Sequence, residues 1–217
     1  MREYDQLAGS GWYASHRNPQ IGIEDVSRLV ALLPHGATIL DLGCGDGIPI
    51  SRFLIERGFS LYGIDSSSKM IEQFARNLPG VPSECSDLLQ SGLFGRDFDA
   101  IIAYGLMFHL PPTKQAAVIA KVSDPLIEGG KFLFNSSSEQ GETVSKMNAV
   151  EVAHWSMSAA QYAQALHKHH LVLASEYEDK QSGTHVYVAK KRTMNPNKAS
   201  EATSEPAPGA VSSSPQG

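Results

Sequence analysis

The run Asp41-Leu42-Gly43-Cys44-Gly45-Asp46-Gly47 sets glycine at every second position where a short apolar stretch, Thr38 to Leu42, gives way to a helical pattern, Ile50 to Arg57. Glycine has no Cβ, so a loop of this kind turns sharply and lets its backbone come close to a ligand. A side chain at Gly43 or Gly45 would fill that space. A glycine loop joining a strand to a helix is the place where α/β units receive nucleotide-like cofactors. On its own the loop suits a dinucleotide, a nucleoside sulfonium or a plain turn.

The rest of the chain repeats the strand-then-helix rhythm. Apolar runs at Leu61–Ile64, Pro82–Cys85, Phe98–Ala103, Lys131–Phe134, Leu171–Tyr177 and Thr184–Ala189 read as further strands. Helical patterns fall at Ile23–Leu33, Ser67–Asn77, Thr113–Ser123 and Ser158–His169, with Ser66 or Ser67 and Ser158 as N-caps. Such alternation predicts βαβ units, a mostly parallel sheet and an α/β fold. The stretch Ser136 to Trp155 reads as irregular. Ligands of such sheets sit beyond the carboxyl ends of the strands, so the residues just after each strand are the ones to weigh.

With 217 residues the chain is long enough for one domain with a substantial core. A net charge of −5 argues against broad nucleic-acid binding, which needs a basic face. No apolar run reaches the roughly 18 residues of a membrane span, and Met1-Arg2-Glu3-Tyr4-Asp5 has no signal-peptide core. The expected setting is the cytoplasm, with no membrane partner. Cys44 and Cys85 are too few for a disulfide scaffold, and with His109 they lack metal-ligand spacing, so no metal is expected. From Thr193 the composition turns to Pro, Ser and Ala without aromatics, which predicts a disordered tail over 193–217.

Asp65 follows the second strand and lies 24 residues after Asp41, near the ~20-residue spacing at which an acid receives a ribose hydroxyl pair. Its alternative role is to cap the helix that follows. With this acid the loop resembles the first motif of class I S-adenosylmethionine-dependent methyltransferases. It reads D-x-G-x-G-x-G rather than the G-x-G-x-x-G of NAD enzymes. The resemblance implies a single doubly wound Rossmann-like domain over 37–192. Its seven-stranded sheet would be mostly parallel, with the last strand antiparallel, and residues 1–36 would form an N-terminal cap and helix over the cofactor. It also implies S-adenosyl-L-methionine as cofactor. Asp41, Gly43, Cys44 and Gly45 would lie at its methionine end, Asp65 at the ribose, and Ser66 and Met70 beside the adenosine. Asp87 and Leu88 would meet the adenine, and Tyr104 with Gly105 would lie between cofactor and acceptor. Leu126-Ile127-Glu128-Gly129-Gly130 matches the family's late glycine motif. More narrowly, Gly45–Ile50, Phe108-His109-Leu110 and His154–Ser158 are similar to a group of small bacterial methyltransferases. The resemblance supplies a fold and a cofactor but no acceptor.

Transfer of a methyl group from a sulfonium needs alignment and exclusion of water rather than a covalent residue. An alcohol or amine acceptor would also want a base, usually histidine. His109, after the fourth strand, and Tyr104 are the candidate catalytic residues. His154 and Trp155 lie in a segment able to close the site, and Arg17 is a candidate partner for the cofactor's carboxylate. Little sequence is left over for a substrate module, which favours a small-molecule acceptor over RNA or protein. A non-catalytic S-adenosylmethionine-binding protein and a methyltransferase acting on RNA or protein are the alternatives. A NAD-dependent oxidoreductase lacks its loop and its Tyr-x-x-x-Lys pair here. The sequence leaves the oligomeric state open.

Overall fold

The computed structural model describes residues 18–147 and 150–193. The expectations for Arg17, for most of the N-terminal cap and for the tail lie outside the described residues. The elements in chain order are α1 (Ile23–Val30), β1 (Thr38–Leu42), α2 (Ile50–Glu56), β2 (Ser60–Asp65), α3 (Ser68–Asn77), β3 (Ser83–Cys85) and β4 (Phe98–Ala103). Then follow α4 (Pro112–Ser123), β5 (Leu126–Ser136), β6 (Gly141–Met147), β7 (Val150–Ser156), α5 (Ala159–Lys168), β8 (Leu171–Asp179) and β9 (Thr184–Lys191).

Seven strands form one sheet in the order β3-β2-β1-β4-β5-β9-β8. Strands β1 to β5 pair in parallel, and the last strand, β9, runs antiparallel to both its neighbours, β5 and β8. The strand order reverses between β1 and β4, which places a ligand-binding crevice at their carboxyl ends.

The central strands are buried on both faces, which explains their nearly unbroken apolar runs. Alternate residues feed two cores. Ile39, Ala100, Ile102 and Leu133 pack with Val26, Leu29, Phe53, Leu54 and Phe74 from α1, α2 and α3. Leu40, Leu42, Ile101, Phe132 and Phe134 pack with Val118, Ile119, Val122, Tyr162 and Leu166 from α4 and α5. The result is a three-layer sandwich with helices on both sheet faces. Removing one large member such as Phe74 or Phe134 costs about 3–5 kcal/mol by the usual core-truncation measure.

Local signals fix the helix starts. Ser67, not Ser66, caps α3: its Oγ accepts the Met70 N–H at 3.2 Å. Ser158 and Gln161 form a reciprocal capping box at α5.

Two expectations need correction. The stretch 136–155 is largely strand: β5 runs on to Ser136, and β6 and β7 make a separate antiparallel two-stranded sheet. Residues 141–146 are exposed throughout, so β6 has no buried face to impose a period-two apolar pattern. Strand β5 also begins earlier than Lys131. Its partner register jumps from Phe98↔Leu126 to Ala100↔Lys131, so Ile127 to Gly130 form a bulge. No helix among the described residues is long and apolar enough to cross a membrane.

Candidate active site

The carboxyl ends of β1 to β4 open into one cavity of about 510 Å³, within the ~300–1,000 Å³ common for small-ligand sites. The loop after β1 is tied to β2. The N–H groups of Gly43 and Cys44 both donate to the Ile64 carbonyl, at 2.8 and 3.1 Å. The Asp65 carboxylate completes the tie: Oδ2 accepts the Gly45 N–H at 3.0 Å and Oδ1 accepts the Ser67 N–H at 2.8 Å. Asp65 thus holds the glycine loop, starts α3 and faces the cavity at once.

Two glycines of this loop are required for different reasons. Gly45 has φ +54°, and a Cβ built there would meet nothing nearer than the Met70 sulfur at 4.0 Å. It borders open cavity space. Gly47 has φ +82°, and its Cβ would strike Leu78 at 2.7 Å and Phe74 at 2.9 Å, so it is demanded by packing.

Asp41 is 4% exposed and lies behind the cavity wall, where its Oδ2 accepts a 2.6 Å hydrogen bond from Ser51 Oγ on α2. Burial pushes its carboxyl up to about 7; the Ser51 bond opposes this and the charge of Asp65 adds to it. Cys44 is also buried, packed so close to Gly63 that a Cβ there would come within 2.9 Å of its sulfur. Burial raises its thiol well above the ordinary range.

After β3, Asp87 closes a tight turn. Its Oδ1 accepts the Leu89 N–H at 2.9 Å and its carbonyl accepts from Gln90 and Ser91, presenting Asp87, Leu88 and Leu89 to the cavity. After β4, Tyr104 borders the cavity while its hydroxyl donates to Asp179 Oδ2 at 3.0 Å. Burial raises that phenol. The Gly105 N–H donates to Asn135 Oδ1 at 2.7 Å, and Asn135 Nδ2 donates to Thr184 Oγ1 at 2.9 Å. The ends of β5 and β9 therefore fix the Tyr104-Gly105 backbone.

A short 3₁₀ turn, Met107–His109, brings His109 to the cavity. The His109 ring lies 4.4 Å from Phe108 and 5.0 Å from His154 on β7. Burial, reinforced by His154, lowers the His109 imidazole to about 3. It is neutral near pH 7 and too weak a base for strong general-base catalysis there. Burial lowers His154 as well, and its Nε2 shares a 2.7 Å hydrogen bond with Ser145 Oγ across the β6–β7 pair.

Val152, Ala153 and Trp155 of β7 complete the wall. What fastens β7 there is Gln115, fully buried on α4. Its Nε2 donates to the carbonyls of Leu110, at 2.7 Å, and Trp155, at 2.9 Å. Its Oε1 accepts the Tyr162 hydroxyl at 2.5 Å.

The cavity therefore gathers Gly43, Gly45, Asp65, Ser66, Met70, Asp87, Leu88, Tyr104 and His109, while Asp41 and Cys44 stand behind it. Sequence reasoning passed over Gln115, Asn135, Lys114 and Val152. A signal existed for Gln115: it shares the apolar face of α4 with Val118, Ile119 and Val122, where an amide has to find partners.

A family profile described as a methyltransferase domain matches residues 39–130. An uncharacterized methyltransferase of Anoxybacillus flavithermus is 34% identical over 99 residues, covering 46% of this chain and 46% of that protein. The carboxy-S-adenosyl-L-methionine synthase of Campylobacter curvus is 29% identical over 133 residues, covering 58% of this chain and 56% of the synthase. The matches thus span about half the length of these curated relatives. Among solved structures, CalS10, an amino pentose methyltransferase with S-adenosylmethionine bound, superposes with a TM-score of 0.68 at 17% identity, over 85% of this chain and 96% of its own. Residues 39–130 thus match a methyltransferase domain, and the chain has the Rossmann-like fold of S-adenosylmethionine-dependent methyltransferases of known structure.

Proposed function

We propose that this chain is an S-adenosylmethionine-dependent methyltransferase acting on a small-molecule acceptor. The observation that carries the reading is the joint lining of one cavity by the ends of β1, β2, β3 and β4, with Gly45 bordering open space and Asp65 beside it. An adenosine-bearing cofactor suits that cradle.

Bound there, S-adenosylmethionine supplies a methyl group on a positively charged sulfur. Asp65 would accept from the ribose hydroxyls, each charge-assisted bond being worth about 1.5–3 kcal/mol. Ser66 and Met70 would flank the adenosine, and Asp87 with Leu88 would meet the adenine. Gly43 and Gly45 would leave room for the methionine portion. Asp41 and Cys44 would support the loop from behind, Asp41 through Ser51. Tyr104 would stand between the two substrates, its ring oriented by the bond to Asp179. His109 would contact the acceptor as a neutral imidazole, and β7 would keep water out. Residues 1–36 would cover the cofactor.

The small-acceptor reading is supported by the cavity's size and by the apolar wall that Leu110, Val152 and Trp155 give it. Likeness to a carboxy-S-adenosyl-L-methionine synthase favours a second reading, in which the cofactor itself is elaborated. Incubation with methyl-labelled S-adenosylmethionine and separate pools of small molecules, tRNA and protein, followed by mass spectrometry, tests both. The expected result is label in small molecules with release of S-adenosylhomocysteine. Label in tRNA or protein alone would overturn the small-acceptor reading. A cofactor heavier by one carboxyl group would select the second.

A further inference from the structure

The cavity is charged unevenly. On the side of β1 to β3 its wall carries two carboxylates, Asp65 and Asp87. Beyond Tyr104, on the side of β4, α4 and β7, the wall is apolar and aromatic: Leu106, Leu110, Pro111, Val152 and Trp155. Lys114, in the first turn of α4, is the only lysine or arginine lining the cavity among the described residues. Its ammonium makes no ion pair or hydrogen bond with another described residue. The staple through Gln115, the next residue, holds the Trp155 backbone against the start of the same helix.

Resting on the methyltransferase reading, we infer that the acceptor is a small arene bearing an anionic oxygen, a carboxylate or phenolate. Lys114 selects its charge, and the wall formed by Trp155, Val152 and Leu110 receives its ring. A solvent-exposed ammonium at the edge of an apolar wall, without a partner among the described residues, matches a ligand with a charged edge and a flat body. Aromatic contacts add shape selection to area burial.

The chemistry balances without a base. An oxygen lone pair forms the O–CH₃ bond, and the S–CH₃ bonding pair stays on sulfur as the sulfonium becomes a neutral thioether. The acceptor's negative charge and the donor's positive charge cancel, and no proton moves. That agrees with a site whose histidine, His109, is neutral and weakly basic.

The test measures binding of three matched probes to protein saturated with S-adenosylhomocysteine: 2-naphthoate, 2-naphthamide and 2-naphthylmethylamine. We expect the carboxylate to bind at least tenfold tighter than the amide, and the amine more weakly than either. Lys114→Gln should remove the carboxylate's advantage and leave the amide unchanged. Lys114→Glu should invert the order in favour of the amine. Neither variant should alter affinity for S-adenosylhomocysteine, because Lys114 lies on the acceptor side. Equal binding of the three probes, an advantage that survives Lys114→Gln, or no naphthoate binding by cofactor-loaded protein would overturn the inference. Failure of S-adenosylhomocysteine itself to bind would overturn the methyltransferase reading and this inference with it.

Discussion

Asp41 is a buried carboxyl whose surroundings contain one hydroxyl donor, Ser51, and a second acid, Asp65, and no basic group among the causes of its shift. Its folded value, about 7, lies above the ~3.9 of an unfolded aspartate. Between those values the folded state holds more protons than the unfolded state. Asp41 therefore lowers stability as pH rises from about 4 to 7, and its effect levels off above that. His109 works in the opposite direction: depressed to about 3, it makes the fold lose stability as pH falls below ~6.5. Asp41→Asn keeps an acceptor for Ser51 and cannot titrate. Thermal melts from pH 4 to 8 should then show the wild type losing ground to the variant as pH rises through that window. Parallel curves would contradict the burial argument.

At the scale of the element, the β6–β7 hairpin is the least self-sufficient part of the fold. Residues 141–146 are exposed, and the hairpin's inner contacts include the rings of Phe108 and His109 and the Gln115 amide. Gln115→Leu removes the amide donor from the Leu110 and Trp155 carbonyls and leaves the Tyr162 hydroxyl with Ser136 Oγ as its remaining acceptor. The expected cost is about 1–3 kcal/mol in denaturant unfolding. Hydrogen exchange should accelerate in β7 more than in β1 or β4. Uniform acceleration, or none, would mean that the hairpin is held by something else. Elements that feed the core were legible in the sequence, because burial on both sheet faces imposes long apolar runs: the expected strand Phe98–Ala103 has the same bounds in the structure. The hairpin was not legible because its polar, exposed strand carries no such imprint. Gln115, for its part, acts through backbone carbonyls that pairing and folding bring to it, and residue type does not announce those.

For the whole molecule, the decisive feature is that the order of strands reverses between β1 and β4, so loops distant in sequence converge on one crevice. That is why the positions at or soon after strand ends, Gly43, Gly45, Asp65, Asp87 and Tyr104, with His109 on the turn after β4, were legible as neighbours in the sequence. It is also why Lys114 and Val152 were not: they reach the crevice through a helix start and a hairpin rather than a strand end. The burial of Asp41 and Cys44 behind the loop likewise depends on how α2 and α3 close over β1, which local sequence does not specify.

In the proposed function, this crevice holds an adenosine-bearing sulfonium cofactor with Asp65 at its ribose. Calorimetric titration of the wild type and of Asp65→Ala with S-adenosylmethionine, S-adenosylhomocysteine and NAD tests it most directly. Binding of the first two and not of NAD is expected, weakened roughly ten- to a hundredfold by the substitution. Binding of NAD in their place, or an affinity that Asp65→Ala leaves unchanged, would contradict it.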